Sequence, residues 1–505
     1  MTRASAVSYP QITGASRWLV VAVALVLWSG CSLLQPLQRR FIGELGYFEF
    51  RNSDAAVGRM VVAVPNGTAE AEAVDYAQTI RDRLDASLVI AYDFKKNRIP
   101  VDRPLVNSSP IAWQTGHGTR RASVYPEFVK LIQSTISGPL EFYVGVGVFD
   151  QTNESARIEV VSAGLSFEQI KTLKLAYVRI RDRLSENLKL AEIEIALNPL
   201  DEISSKAFGV KNHGVLMLAN QGLILRLPQA LEKPGYRIVY REILARWVRE
   251  AVNMAQSRSD HLPAVEVLRF SQGRIDSIPS REDRRGIVIA APHGSFDWYT
   301  GELVEEISYR TALPAVVTRG FTPTECGGWR INVNSPTERR YPTDTVERET
   351  DRAKYVYEKY SQVVFRMARA PLDLYIEMHQ NGTEQNIEVA TLGISREQAA
   401  AIKAAYLEMS ERLLRGHPEI PKIGLVIEPV DQVSIGAWAA KDHGILRRAK
   451  SSLHFELPAQ RLFYRNITRR MYTKVFAELI EFVTILLRNV VLTADTNLGS
   501  IESTD

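Results

Sequence analysis

The chain alternates short apolar runs, rich in β-branched residues, with longer stretches in which apolar residues recur at helical spacing. Runs such as MVVAV and SLVIAY, or IVIAA and PAVVTR, each precede a turn or polar loop and then an amphipathic segment. Strands that alternate with helices predict a largely parallel sheet covered by helices on both faces. The pattern therefore favours the α/β fold class, with mixed sheets that are mostly parallel.

This alternation occurs twice, and the two halves of the chain read as copies of one another. MVVAVPNGTAE at 60–70 aligns with IVIAAPHGSFD at 287–297, and LEFYVGVG from Leu140 aligns with LDLYIEMH from Leu372. Five such blocks follow one another in the same order, with the second set 227 to 232 residues after the first. Repetition of this kind predicts two similar domains in tandem.

The repeats divide the chain of 505 residues, which is long enough for several domains, into six predicted segments. The ends and the junction are set by polar composition and by the limits of the matched blocks. The segments are a signal peptide at 1–30, a tether at 31–55, a first repeat at 56–255, a linker at 256–285, a second repeat at 286–490 and a disordered tail at 491–505.

Only the second repeat carries residue types that bind metals and move protons at the aligned positions. The first repeat keeps the frame of each block but has other residues there, which predicts one working site and one that has lost its chemistry. Two ordinary domains with unrelated surface histidines are the alternative. His293, Asp297, His379 and Glu456 of the second repeat align with Asn66, Glu70, Gly147 and Arg226 of the first.

Composition and charge limit the possible function classes. Hydrophobic residues make up 45% of the chain and charged residues 24%, as in an ordinary globular protein. The net charge of +4 is small for this length, so nucleic acid is not an expected partner. The chain has two cysteines, Cys31 and Cys326, which rules out a four-cysteine zinc site. A metal would need histidine and carboxylate ligands.

The N-terminus has the pattern of a bacterial export signal. Arg3 and Arg17 give a positive segment before an apolar run at 18–28, which is too short to span a membrane as a helix. The run leads into LWSGC, which resembles a lipoprotein cleavage motif and makes Cys31 the expected lipidated residue. Ser32 is not the aspartate that commonly retains lipoproteins at the inner membrane, so we predict an outer-membrane lipoprotein facing the periplasm. An uncleaved signal anchor is the alternative.

The aligned positions suit metal-dependent hydrolysis. In open α/β sheets, ligands bind beyond the carboxyl ends of the strands, and His293 and His379 each follow or close an apolar run. Two imidazoles and a carboxylate, here Asp297, would give a catalytic zinc ion three protein ligands and leave one position for water. A further carboxylate must take the water proton and deliver it to the leaving amine, and Glu456 is the candidate.

Four strings of the second repeat resemble motifs of the zinc carboxypeptidase-like superfamily, most closely of its N-formylglutamate amidohydrolase branch. These strings are APHGSFD, RINVNSP, YIEMHQN and HFELP. The resemblance implies two tandem phosphorylase/hydrolase-like domains, a zinc cofactor, and hydrolysis of an amide bond in a small acyl-amino acid or peptide. The H-x-x-x-D spacing of His293 and Asp297 departs from the H-x-x-E of the best-known carboxypeptidases.

The resemblance also implies an arginine that binds a substrate carboxylate, and here the chain departs from the family again. Family members have arginine after the asparagine of the block that reads Asn334-Ser335-Pro336 in this chain. Either a nearby arginine takes this role or the substrate lacks the usual carboxylate. The candidate substrate-binding residues are Arg330, Asn334, Arg339, Arg340 and Arg319.

A second hypothesis is a binding or assembly lipoprotein without catalysis, built from two degenerate domains. A serine hydrolase that uses Ser295 is disfavoured, because no G-x-S-x-G motif surrounds this residue. Glu377 either orients His379 from the same strand face or is an ordinary carboxylate, and His454 is expected to be structural. The oligomeric state stays open.

Overall fold

The computed structural model describes most of the chain from residue 37 onward. The predicted signal peptide and Cys31 lie outside the described residues. Within the part that is described, no helix is long and apolar enough to cross a membrane. The described ranges are 37–53, 58–68, 70–94, 99–104, 124–149, 157–186, 192–203, 208–256, 264–382, 385–463 and 465–498.

An eight-stranded sheet forms the centre of the first repeat. Its strands are β1 (Gln38–Phe41), β2 (Tyr47–Arg51), β3 (Met60–Val64), β4 (Ser87–Tyr92), β5 (Phe142–Phe149), β6 (Arg157–Ala163), β7 (Glu194–Asn198) and β8 (Gln221–Pro228). They lie in the order β1-β2-β4-β3-β5-β8-β6-β7. The four central strands are parallel, and β2 and β6 run antiparallel to the central strands beside them.

The second repeat contains a sheet of the same size, strand order and strand directions. The strands of this half are β9 (Glu266–Arg269), β10 (Gly273–Ile278), β11 (Ile287–Ala291), β12 (Ala315–Gly320), β13 (Trp329–Ile331), β14 (Thr337–Arg340), β15 (Arg348–Glu349), β16 (Leu374–Asn381), β17 (Ile387–Leu392), β18 (Leu425–Ile427) and β19 (Ser451–Pro458). The large sheet has the order β9-β10-β12-β11-β16-β19-β17-β18, and β13, β14 and β15 form a small antiparallel sheet. The predicted fold class, two α/β domains with mostly parallel sheets, is confirmed.

Helices cover the sheets. In the first repeat they are α1 (Ala71–Leu84), α2 (Val124–Ser134), α3 (Phe167–Ser185), α4 (Phe208–Asn212), α5 (Val215–Leu218) and α6 (Pro234–Gln256), with a 3₁₀ turn at Gln229–Glu232. In the second repeat they are α7 (Thr300–Thr311), α8 (Asp351–Ala368), α9 (Arg396–Leu414), α10 (Trp438–Asp442), α11 (Ala459–Leu462) and α12 (Asn466–Leu498), with a 3₁₀ turn at Ile445–Arg448.

Each large sheet separates two hydrophobic cores, which explains the continuous apolar runs in the sequence. Along β3, Val62 and Val64 pack against α1, α3 and α6, whereas Val61 and Ala63 pack on the opposite face with α2. Strand β11 likewise packs against α7, α9 and α12 on one face and against α8 on the other. Strands buried on both faces have no polar side to alternate with the apolar one.

Three predicted boundaries need correction. Strands β9 and β10 lie within 256–285, where we expected a linker, and β1 and β2 lie within the predicted tether. Strands β1 and β9 are at the sheet edges with β2 and β10 beside them. All four contain many polar residues, so their composition did not distinguish them from connecting chain. Their pairing with each other and with β4 and β12 makes them part of the sheets. Helix α12 also continues to Leu498, beyond the expected end at 490.

A buried cluster of charged residues joins the two repeats. Lys211 of α4 and Arg319 of β12 donate to the two oxygens of Glu305 in α7, each at 2.6 Å. Arg319 also pairs with Asp276 and donates to the Asn212 side-chain oxygen at 3.1 Å. Burial raises the pKa of Glu305, but the charges of Lys211 and Arg319 outweigh burial and lower it to about 2. The first repeat is therefore held against the second by ionised groups.

Candidate metal centre

The turn that follows β11 carries two of the candidate ligands. His293 and Asp297 are four residues apart, and the Asp297 backbone N–H donates to the His293 carbonyl at 2.7 Å. Gly294 packs closely against β12, where a Cβ would lie 2.7 Å from the Thr318 carbonyl oxygen. The turn is therefore tight, and it brings both side chains to one place at the carboxyl edge of the sheet.

His379 of β16 lies beside this turn, and the three side chains converge. Asp297 Oδ2 is 3.4 Å from His293 Nδ1 and 3.1 Å from His379 Nδ1, and the two ring centres are 4.9 Å apart. Donor atoms that lie 2.0–2.1 Å from a tetrahedral zinc ion are roughly 3.3–3.4 Å from one another, so these separations fit a shared cation. All three residues are more than nine-tenths buried, and together they could hold a metal ion.

One buried nitrogen of each imidazole has no hydrogen-bond partner among the described residues. These atoms are Nε2 of His293 and Nε2 of His379. His379 Nε2 lies 3.4 Å from Glu377 Oε1, which is an ion-pair distance without hydrogen-bond geometry. The distances to Asp297 involve Nδ1 of each ring, so these Nε2 nitrogens are not the atoms that face the candidate cation, and both stay open to a further partner.

The ionisation of the three residues also suits a cation. Burial and the neighbouring Arg330 guanidinium lower the pKa of His293 to about 4, so this imidazole is neutral at pH 7. Burial raises the pKa of Asp297, but the neighbouring His293 and His379 side chains outweigh burial and keep it well below its usual range. Burial lowers the pKa of His379, but Glu377 and Asp297 outweigh burial and raise it to about 10. Metal binding at His379 would therefore release a proton.

Glu377 lies behind His379 on the same face of β16. Its carboxylate accepts N–H bonds from Asn334 at 3.2 and 3.3 Å and an O–H bond from Tyr375 at 3.1 Å, and Tyr375 in turn contacts Tyr360 at 2.6 Å. A carboxylate next to the second nitrogen of a ligand imidazole fixes the ring and raises its basicity, so the geometry favours the orienting role for Glu377. Asn334, which we expected to bind substrate, instead supports Glu377.

The sequence reasoning missed His454. Strands β16 and β19 are parallel neighbours whose register sets Glu377 beside His454 and His379 beside Glu456. His454 contacts Glu377 through Nδ1 at 2.6 Å and Glu456 through Nε2 at 3.0 Å. The signal was present as E-x-H in one strand and H-x-E in the other, but the pairing of the two strands is not visible in one sequence.

Glu377, His379 and His454 form a second group of metal-binding residue types. The His379 and His454 rings are stacked, with centres 4.3 Å apart and planes at 23°. The 2.6 Å contact between His454 and Glu377 is a short hydrogen bond, closer than donors around a zinc ion lie to one another. We therefore assign the candidate metal to His293, Asp297 and His379.

Among the predicted substrate-binding arginines, Arg330 contacts the candidate ligands. Its Nη2 donates to His293 Nδ1 at 3.1 Å, and its guanidinium lies 4.6 Å from the centre of the Phe296 ring. To accept this bond, Nδ1 must be unprotonated, and it uses the lone pair that a metal ion would need, so Arg330 has to release Nδ1 when an ion binds there. Arg339 is paired with Arg330 across β13 and β14, and burial and the charge of Arg330 lower its pKa. Two adjacent guanidinium groups favour an anion nearby.

Arg319 and Arg340 lie elsewhere. Arg319 is 1% exposed, and its donors are engaged by Asn212, Asp276 and Glu305 at the junction of the repeats. This corrects the expectation that Arg319 lines the site, because the first repeat covers the end of β12. Arg340 is exposed at the end of β14 and makes no contact with the candidate ligands in the described structure.

In the first repeat, other side chains lie at the positions that correspond to the candidate metal ligands of the second repeat. Gly147 takes the position of His379, and a Cβ there would lie 3.0 Å from Arg226 Nη1 and 3.1 Å from Glu70 Oε2. Arg226 is the partner of Gly147 on the neighbouring strand β8. Arg226 lies in this space, and Asn66 and Gly147 provide no imidazole, so the first repeat is not suited to bind a metal ion here.

The solved structures that are similar to this chain match less than half of it. No protein-family model and no curated protein sequence matches the chain. A metallo-carboxypeptidase from Burkholderia cenocepacia is 12% identical, with a TM-score of 0.27, and the match covers 46% of this chain and 66% of that one. A bacteriophage poly-gamma-glutamate hydrolase is 11% identical, with a TM-score of 0.26 and coverage of 44% and 93%. Murine aminoacylase 3 is 14% identical, with a TM-score of 0.25 and coverage of 41% and 67%. Values this low assign neither an activity nor a residue role.

Proposed function

We propose that the second repeat is a zinc-dependent amide hydrolase that acts on a small acyl-amino acid or peptide. The supporting observation is the convergence of His293, Asp297 and His379, with carboxylate-to-imidazole distances of 3.4 and 3.1 Å. Two imidazoles and one carboxylate are a donor set that hydrolytic zinc sites use. When bound, zinc polarises the scissile carbonyl and lowers the pKa of a water molecule.

The proton transfers are assigned to Glu456. It is paired in register with His379, and His454 holds one of its oxygens at 3.0 Å. A carboxylate held in this way can take the proton of the attacking water and return it to the leaving amine. Glu377 keeps the His379 ring oriented through its own bonds to Asn334 and Tyr375.

Arg330 is assigned to an anionic part of the substrate. It lies against Phe296 and beside Arg339, which adds a second positive charge on the neighbouring strand. A guanidinium binds a carboxylate through two parallel N–H bonds, which fixes both position and orientation. In this proposal Arg330 and Arg339 together replace the arginine that stands at the position of Ser335 in the family that the sequence motifs resemble.

Turnover of N-acyl amino acids and short peptides by the purified chain tests this function. We expect hydrolysis that a chelator abolishes and added zinc restores, and that is lost in His379→Ala. His443→Ala is the matched control, because His443 is an exposed histidine of the same repeat that lies outside both candidate metal groups. Equal rates for the two variants, or no cleavage by the zinc-loaded chain, would contradict the proposal.

We also propose that Cys31 carries a lipid anchor that places the protein at the outer membrane, facing the periplasm. The support is the short apolar run followed by LWSGC in the sequence. Cell fractionation tests this: Cys31→Ala should move the protein from the membrane fraction to the soluble fraction. An unchanged distribution would refute the lipid anchor.

A binding or assembly function without catalysis is the second candidate. The observation in its favour is Ser335, which stands where the resembling family has its substrate-binding arginine. This function predicts that no amide substrate is cleaved with zinc present and that His379→Ala leaves the protein's cellular role intact. A phenotype for His379→Ala equal to that of a deletion would exclude it.

A further inference from the structure

Arginines line a cavity on the outer helices of the first repeat. The cavity has a volume of about 420 Å³ and lies among α1, α3 and α6, and one carboxylate, Glu250, is part of its lining. Arginine guanidinium groups gathered in one place point to an anionic partner. We call these residues the basic cluster: Arg83, Arg179, Arg183, Arg246 and Arg249.

The charge of the basic cluster is only partly neutralised. Glu242 pairs with Arg83, and also with Arg246 at 2.7 Å. The other three arginines of the cluster are exposed and make no ion pair with any described residue. Five arginines beside two carboxylates, Glu242 and Glu250, leave a surplus of three positive charges on this surface.

Exposed apolar side chains border the basic cluster. Leu175 lies four residues before Arg179, on the same face of α3, and is 66% exposed. Val178, next to Arg179, is 37% exposed. Basic residues beside exposed apolar residues on a helix surface are typical of segments that lie in the boundary between lipid headgroups and acyl chains.

The second repeat keeps arginine at two positions of the basic cluster, Arg310 for Arg83 and Arg412 for Arg183, but not at the other three, although its helices pack in the same way. Tyr177 of α3 donates its hydroxyl to a carbonyl that precedes the next strand, and Tyr406 of α9 makes the same bond in the second repeat at the same distance of 2.7 Å. This match sets Glu408 of α9 at the position that Arg179 has in α3. The charge at this position is therefore reversed between two copies of one fold.

Helices α6 and α12 show the same reversal. The hydroxyls of Tyr240 and Tyr472 accept equivalent backbone N–H bonds, at 2.9 and 2.8 Å. The corresponding residues are then Arg246 and Glu478, and Arg249 and Glu481. Because the same helix packing forms with glutamates at these three positions, Arg179, Arg246 and Arg249 are not required for the fold and are available for a partner.

If the N-terminal segment is anchored in a membrane, the first repeat and its basic cluster lie close to that membrane. Strand β1 begins at the same end of the sheet as β4, and Arg83 lies in the last turn of α1, directly before β4. The apolar run at 18–28 ends ten residues before Gln38, and ten extended residues span at most about 35 Å. Either insertion of this run or lipidation of Cys31 would hold the first repeat near the lipid surface.

We propose that the basic cluster docks the first repeat on a membrane surface that contains anionic phospholipids. The lipid phosphates pair with the guanidinium groups, and Leu175 and Val178 enter the headgroup boundary. The exposed apolar residues favour a lipid surface over a soluble polyanion, which would leave them in water. This docking is independent of the proposed hydrolysis in the second repeat.

Vesicle binding by the full chain tests the docking. The lipid concentration that binds half of the protein is measured with phosphatidylcholine vesicles and with vesicles that contain one-third phosphatidylglycerol. Each arginine near an anionic surface strengthens binding about fivefold, so Arg179→Gln/Arg183→Gln should bind the anionic vesicles about 25-fold more weakly. Binding to the neutral vesicles should not change, because the apolar N-terminal segment is the same in both proteins.

Arg285→Gln/Arg366→Gln is the matched control, since it removes two exposed arginines from the second repeat. We expect it to bind like the wild type, and we expect added salt to weaken the wild type's preference for anionic vesicles. Equal losses in the two double variants, or no loss in Arg179→Gln/Arg183→Gln, would overturn the proposal. Thermal unfolding of both variants checks that the fold is intact.

Discussion

Glu305→Gln should destabilise the junction between the two repeats. Burial opposes ionisation of Glu305, but Lys211 and Arg319 lower its pKa from 4.5 to about 2. A pKa lowered this far corresponds to about 3 kcal/mol of stabilisation at neutral pH. The variant would also leave Lys211 and Arg319, which are 3% and 1% exposed, next to a neutral amide. For a repeat of about 200 residues, this loss lowers the unfolding temperature by roughly 6–12 °C.

The pH dependence of this loss is a second readout. The pKa of Glu305 is lower in the folded chain than in the unfolded chain, so its contribution is complete above about pH 4.5. The contribution is lost as the pH falls towards 2, because Glu305 then becomes protonated in the folded chain as well. Thermal unfolding followed by circular dichroism should therefore show a large difference between wild type and variant at pH 7 and a smaller one at pH 3.

Glu306→Gln is the control for this experiment. Glu306 is the next residue of α7 and pairs with Arg310 one turn later, with 27% of its side chain exposed. A surface pair of this kind contributes less than about 1 kcal/mol. If Glu305→Gln and Glu306→Gln unfold at the same temperature, the buried charges at the junction contribute no more than a surface pair, and the reasoning is refuted.

Three further predictions concern the candidate metal centre. His454→Gln should lower kcat about 10- to 100-fold with the metal content unchanged, because Glu456 loses its support; steady-state kinetics and elemental analysis check this. Arg330→Gln should raise KM for anionic substrates about 10- to 100-fold, as expected for a lost bond to a charged group, whereas the exposed Arg340→Gln should leave KM unchanged. Removing the metal with a chelator should lower the unfolding temperature of the wild type but not of His379→Ala, because only a chain that binds the ion gains stability from it.

The fold could be predicted where burial imposes a pattern on a single segment. IVIAA is apolar at every position because both faces of β11 pack against helices. The starts of α3 and α9 are also local, since the Ser166 and Ser395 side chains each accept the backbone N–H three residues later in a capping box. His293 and His379 were identifiable because each lies at the end of such an apolar run.

Contacts between distant segments could not be predicted in this way. Arg319 follows an apolar run just as His293 does, and only the packing of the first repeat on β12 shows that this strand end is covered. The role of His454 depends on the register between β16 and β19, which are separated by many residues of other structure. The polar edge strand β9 and its neighbour β10 owe their conformation to pairing with each other and of β10 with β12, rather than to an apolar pattern of their own.

Anomalous X-ray scattering from crystals of the zinc-loaded protein tests whether His293, Asp297 and His379 hold a metal ion. We expect one zinc peak per chain, at about 2.0–2.2 Å from donor atoms of His293, Asp297 and His379, and no peak at this place in His379→Ala. A peak between Glu377 and His454, a peak beside Arg226 in the first repeat, or no bound zinc would contradict this expectation.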